Sequence, residues 1–176
     1  MNAKITYALI LSMALIVFRL LLFFLEGKIS TIAVSLVAML LSWPIIFFIL
    51  WLGLRAVRDE RPDQCITFGQ AFLAGFIISV IAAIVMGLYT LLHCVLIDPN
   101  YIEKSLEKGR ELWEAQGMSE QQMEAGERFT RILMNPVLMA VYSMLKGIFE
   151  GAICSLIAAA IVKRNPQPAA QVPPPL

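Results

Sequence analysis

Hydrophobic and polar positions divide the chain into four long apolar runs joined by polar segments of unequal length. A membrane-crossing helix needs about 20 mainly apolar residues. Residues 5–25, 32–54, 72–96 and 137–162 meet that requirement. The first run carries one charge, Arg19, the second carries none, and the fourth carries Lys146 and Glu150. No run alternates with a period of two, so a membrane β-barrel is excluded. The pattern predicts an all-α fold: an integral membrane four-helix bundle. The basic start at Lys4 invites a signal-peptide reading of the first run. Its apolar core is too long for one, and no small-x-small cleavage site directly follows it. An uncleaved helix is expected.

The connections differ in kind. Residues 27–31 read as a tight turn, which makes the first two spans neighbours. Residues 55–69 read as a polar loop, with Arg55, Arg58 and Arg61 set against Asp59, Glu60 and Asp63. Residues 97–136 form a long extramembrane segment with helical patterning. Ile102, Leu106, Gly109 and Trp113 share one face, and Gly117 stops that helix. Ser119, with Gln122 three residues on, is a capping box that opens a second helix through Met123, Phe129 and Leu133. Pro136 after Asn135 opens the last span. The expectation is a helical hairpin on the outer face, either a solvated cap or a docking or lid element anchored by Trp113. Residues 165–176 hold Pro166, Pro168, Pro173, Pro174 and Pro175, the composition of a disordered or polyproline tail.

Two spans carry packing stripes. Small residues recur every four positions at Ala71, Gly75, Ser79, Ala83 and Gly87, and again at Ser143, Gly147, Gly151, Ser155 and Ala159. Lipid tails are as apolar as leucine, so close backbone approach at small residues is what holds membrane helices together. The third and fourth spans should therefore pack on each other, with a second protomer as the alternative mate. Trp43-Pro44 interrupts the second span. Its proline frees the Leu40 carbonyl and favours a kink, which membrane helices tolerate.

Composition sharpens this picture. Hydrophobic residues make up 59% and charged residues 15%, against about 45–50% and about 25% in soluble domains. Mean hydropathy is +0.76. An ordinary soluble globule and a disordered chain are excluded. The net charge of +1 provides no footprint for nucleic acid. The implied partners are the lipid bilayer and then a second copy or another membrane protein. Lys4, Arg55, Arg58, Arg61, Lys163 and Arg164 fall on the side shared by both termini. Lys28, Lys104, Lys108, Arg110, Arg128 and Arg131 fall on the other. The counts tie, but the first set hugs the span ends, and the second is diluted in a long acidic loop. Positive charge beside spans marks the cytoplasm, so both termini are expected there.

The intramembrane charges are the main chemical lead, because ionisable groups cost about 2.5–3.5 kcal/mol each near a bilayer centre. At 1.5 Å per residue, Lys146 and Glu150 lie within about 5 Å of the midplane. They are four residues apart and can pair on one face. Arg19 sits at about the depth of Lys146. Arg19, Lys146 and Glu150 thus form a candidate polar cluster with one cation in excess. Three readings follow: a polar clasp between the first and fourth spans, a polar pathway or anionic-ligand site, and snorkelling. For a clasp, neutralising Glu150 would strand a buried cation, at about 3–5 kcal/mol. Glu26 and His93 are secondary candidates near the outer interface. Cys65, Cys94 and Cys154 fall at three different depths, and no CxxC or HxxxH spacing exists, so neither a disulfide nor a metal is expected. HExxH, GxSxG, GxxxxGK[ST] and dinucleotide motifs are absent. No catalytic residue, metal or cofactor is implied, and the chain is not expected to be an enzyme.

The segment Ile66-Thr67-Phe68-Gly69-Gln70-Ala71-Phe72-Leu73-Ala74-Gly75-Phe76 opens the third span after the basic loop. Ile97-Asp98-Pro99 closes that span, Met118-Ser119-Glu120 lies in the acidic loop, and Gly147, Gly151 and Ile157 lead to Lys163-Arg164. In these features the chain resembles the bacterial domain-of-unknown-function 4199 family over roughly residues 4–164. The resemblance implies four spans in an inner membrane and brings no catalytic residues with it. The leading functional expectation is a non-enzymatic structural or accessory membrane subunit. The alternative is a small transporter or channel subunit with a midplane polar site.

Overall fold

The computed structural model describes residues 2–25, 28 and 31–164. In chain order the helices are α1 (Ala3–Leu25), α2 (Thr31–Asp59), α3 (Phe68–Leu92), α4 (Tyr101–Ala115), α5 (Glu120–Leu133) and α6 (Pro136–Val162). One π-helical turn, His93–Ile97, extends α3. The described fold is all-α. Four helices are long and apolar enough to cross a membrane: α1, α2, α3 with its π turn, and α6. On α1, Met13, Val17, Leu21 and Phe24 each stay more than half exposed. Leu73 and Leu88 on α3, and Leu145 and Phe149 on α6, do the same. An apolar surface this extensive is stable only against hydrocarbon. The protein is an integral membrane protein.

The seam between α3 and α6 organises the bundle. A methyl group built on Gly75 would lie 2.7 Å from Ser155 Oγ, and one on Gly147 would lie 3.2 Å from the Ala83 Cβ. The same addition at Gly151 would collide with Ser79, and at Gly87 with Met144. From Gly75 to Ala83 each step of four along α3 is matched by a step of four back along α6, and Gly87 then meets Met144, so the two stripes mate within one chain. α1 packs on α2 and α3, and α6 packs on α3 and α2, whereas α1 and α6 make almost no contact. They occupy opposite corners of the bundle.

The first and last described helices begin and end on one side of the bundle. The Ala3 amide donates to Glu60 Oε1 at 3.1 Å, placing a carboxylate at the positive end of α1. Ile66 and Arg164 exchange backbone hydrogen bonds of 3.0 and 2.9 Å. The start of α1, the α2–α3 connection and the end of α6 therefore share one side, the termini side. The α4–α5 hairpin lies on the other, the loop side.

Several element boundaries move from their expected places. The polar loop expected at 55–69 is shorter, because α2 runs on to Asp59. Arg55 lies 4.8 Å over the Trp51 ring, and Arg58 pairs with Asp59 at 2.9 Å, so basic residues at this helix end suit its dipole. The third span begins at Phe68 instead of residue 72. Thr67 and Gln70 form a complete capping box, and Arg61 Nη1 donates to Gln70 Oε1 at 2.7 Å.

The outer segment folds as a helical hairpin. Gly117, at φ +72°, closes α4 with the paired Gly117–Glu114 and Met118–Trp113 backbone bonds of a Schellman end. Ser119 and Gln122 cap α5 reciprocally. Arg110–Glu127 and Arg131–Glu103 bridge the two helices at 3.4 and 3.5 Å. Trp113, the anchor in the docking alternative, is turned inward: its ring packs on Gly109 and Gly126. It therefore staples the hairpin to itself. The 27–31 turn and the Pro-rich 165–176 tail fall largely or wholly outside the described residues.

A candidate ligand cavity on the loop side

The termini half of the bundle is closed. Leu50, Leu54 and Ile78 are 0% exposed, interlocking with Ala8, Ala74, Ala158 and Cys154 in two adjoining apolar clusters. Large aliphatic knobs meet alanines there, and little space remains.

The loop half is open. A cavity of 680 Å³ lies among α1, α2, α3 and α6. Its floor is set by Leu11, Ile46, Ser79 and Gly151, near the middle of the four helices, and its far end reaches Leu22, Thr90, Tyr101 and Met139. The volume falls within the range of about 300–1,000 Å³ typical of small-molecule sites. The walls are mainly apolar, with a few polar groups placed among them, as such sites commonly are.

Arg19, Lys146 and Glu150 all line this cavity. Lys146 Nζ lies 3.0 Å from Glu150 Oε1, with the Lys146 side chain 51% exposed and Glu150 13%. The clasp expected between the first and fourth spans is not what forms. Glu150 pairs one turn back along its own helix, and α1 stands across the cavity from α6. The local i,i+4 geometry outcompetes a reach over open space. Arg19 is exposed on the cavity wall, and among the described residues no carboxylate lies within ion-pair distance of it. Among the described residues, the charges lining the cavity thus sum to one positive.

Hydroxyls complete the polar lining. Thr90 Oγ1 donates to the Met86 carbonyl at 2.8 Å and lies 3.2 Å from Ser143 Oγ. Ser42 donates to the Met39 carbonyl at 3.3 Å. Ser79 donates to the Gly75 carbonyl at 2.9 Å. Their protons are engaged by their own helices, and their oxygens remain acceptors.

His93 is buried in the π turn. Its Nδ1 lies 3.1 Å from the Tyr89 hydroxyl, and its ring meets Phe23 edge-on at 5.2 Å. A second void, of 10 Å³, is bounded by Arg19, Tyr89, His93 and Cys94 among others, so Arg19 stands between His93 and the main cavity. Glu26 lies outside the described residues. Cys65, Cys94 and Cys154 are free thiols. Among the described residues no three His, Cys, Asp or Glu side chains converge as metal ligands.

Thr90, Trp43, Met39 and Tyr101 also line the cavity, and sequence reasoning passed over them. Ser143 was legible only as a packing residue. Its spacing of three to Lys146 and seven to Glu150 places all three on one helix face, which was the available signal. Gly75, Gly87 and Ser155 belong to the α3–α6 seam. Ser79, Ala83, Gly147 and Gly151 serve both the seam and the cavity wall.

No curated protein and no solved structure matches the chain. A family model does, over residues 6–164. With nearly the whole four-span bundle inside that match, the chain belongs to the family described as protein of unknown function (DUF4199).

Proposed function

We propose that this protein is a non-enzymatic subunit of the bacterial inner membrane, with both termini in the cytoplasm, that holds a small ligand in its loop-side cavity. One observation carries the reading: the cavity is lined by charged groups on mainly apolar walls, and its floor is the packed termini half. A closed floor favours holding a ligand over conducting it, so a binding or accessory subunit fits better than a channel. The six basic residues beside the span ends on the termini side support the cytoplasmic assignment of that side. No reaction is assigned to Arg19, Lys146 or Glu150, which act as recognition groups.

The test is a pair of measurements on one preparation. Protein in sealed liposomes should give no saturable flux of small anions above that of empty liposomes. The same protein in nanodiscs should unfold at a higher temperature when a cavity ligand is present. A ligand at 100 times its Kd adds about 2.7 kcal/mol. Gradient-driven saturable uptake would sink the binding-subunit reading and favour a transporter.

A further inference from the structure

We infer that the ligand is a single-chain amphiphile with one carboxylate or phosphate head, seated with that head on Arg19 and its chain running toward the cavity floor. This rests on the cavity being a binding site. Charge sets the head. Lys146 is already paired with Glu150 at 3.0 Å, which leaves Arg19 as the uncompensated cation among the described cavity residues. A guanidinium presents a planar fork of donors that matches carboxylate and phosphate oxygens two at a time. A carboxylate or a phosphodiester, bearing one negative charge, brings the described cavity residues to neutrality, whereas a neutral ligand leaves the cation uncompensated.

Position sets the chain. Arg19 lies near the loop-side end of the cavity, and Leu11 on the same helix lies at its floor. Eight residues separate them, or about 12 Å along the helix axis. Leu15, Met39, Trp43 and Ile46 form apolar wall around this stretch. A hydrocarbon chain of medium length fills that depth. The packed layer of Leu50, Leu54 and Ile78 blocks a longer one. The volume of 680 Å³ suits one chain with its head and is too small for a two-chain phospholipid.

Trp43 on the wall provides a reporter. The experiment titrates decanoate brominated at its far end into the full-length protein in phosphatidylcholine nanodiscs and follows quenching of tryptophan fluorescence. The expected result is saturable quenching that Trp43→Phe abolishes. The matching brominated alcohol should bind at least about tenfold more weakly, consistent with the loss of a charge-assisted hydrogen bond. Arg19→Gln should raise the Kd of the acid about tenfold without changing that of the alcohol, and Arg19→Lys should fall between. Equal binding of acid and alcohol, unchanged by Arg19→Gln, would overturn the head assignment while leaving a cavity site in place. Absence of saturable quenching by either probe would overturn the cavity reading itself. Loss of both acid and alcohol binding when the discs contain phosphatidylglycerol would identify a two-chain membrane lipid as the occupant and overturn the single-chain assignment, because surface repulsion weakens the acid alone.

Discussion

The two halves of this bundle are built from the same four helices and end up with opposite character. On the termini side, Leu50, Leu54 and Ile78 close against alanines with no exposure. On the loop side, the same helices enclose 680 Å³ beside Arg19, Lys146 and Glu150. The α3–α6 seam does not distinguish them, because its close contacts run through both halves, from Gly75–Ser155 through Ala83–Gly147 to Gly87 against Met144. What changes is the fit of α1 and α2. In the termini half they bring Leu11, Leu50 and Leu54 into alanine-lined holes. In the loop half, α1 brings a guanidinium, and Met39 and Leu40 of α2 stay more than half exposed. One pair of helices holds the bundle together, and the other pair decides where it closes.

That contrast can be broken most forcefully in the closed half. Leu54→Ala removes a fully buried knob and should cost about 2–5 kcal/mol, read as a lowered unfolding midpoint in nanodiscs. Gly151→Val tests the seam common to both halves. Its added methyls collide with Ser79, so a loss of about 1–3 kcal/mol is expected in denaturant titrations. Thr90→Val deletes the hydroxyl facing Ser143 and should cost about 0.5–1.5 kcal/mol, measured by the same titration. Glu150→Gln sharpens the comparison further. A pair buried in a dry interface would lose about 3–5 kcal/mol. With Lys146 half exposed on the open cavity, water from the loop side can reach its ammonium, and the expected loss falls below about 3 kcal/mol. Met39→Ala on the open wall should shift stability by no more than about 0.5 kcal/mol, and a loss comparable to that of Leu54→Ala would erase the distinction between the halves.

Much of the scaffold was legible in the chain itself. The four spans follow from apolar run length, and the seam follows from small residues spaced by four. The Ser119–Gln122 box and Gly117 mark the hairpin because each encodes a local backbone geometry. The Thr67–Gln70 box carries the same signature. It stands ahead of the uninterrupted apolar run, which is why run length alone starts the third span at 72 and the structure starts it at Phe68. The cavity was not legible. Spacing reports which residues share a helix face, not how far two helices stand apart. For that reason Arg19 and Glu150, at similar depths, suggested a clasp, while the structure sets α1 and α6 at opposite corners. Trp113 leaves two readings open for a related reason: spacing puts it on an amphipathic helix, and only the structure shows Gly109 and Gly126 receiving its ring.

The contrast between an open loop half and a closed termini half has a direct chemical readout in thiol accessibility. Native Cys154 lies in the closed half, 1% exposed, while Ser143 lines the cavity. Two single-cysteine proteins, one retaining Cys154 and one carrying Ser143→Cys, would be treated in sealed vesicles with a charged, membrane-impermeant thiosulfonate. Rapid labelling at position 143 from the loop side, with Cys154 inert from either side, is the expected outcome. Equal labelling of the two sites, or none at 143, would contradict an open cavity above a sealed floor.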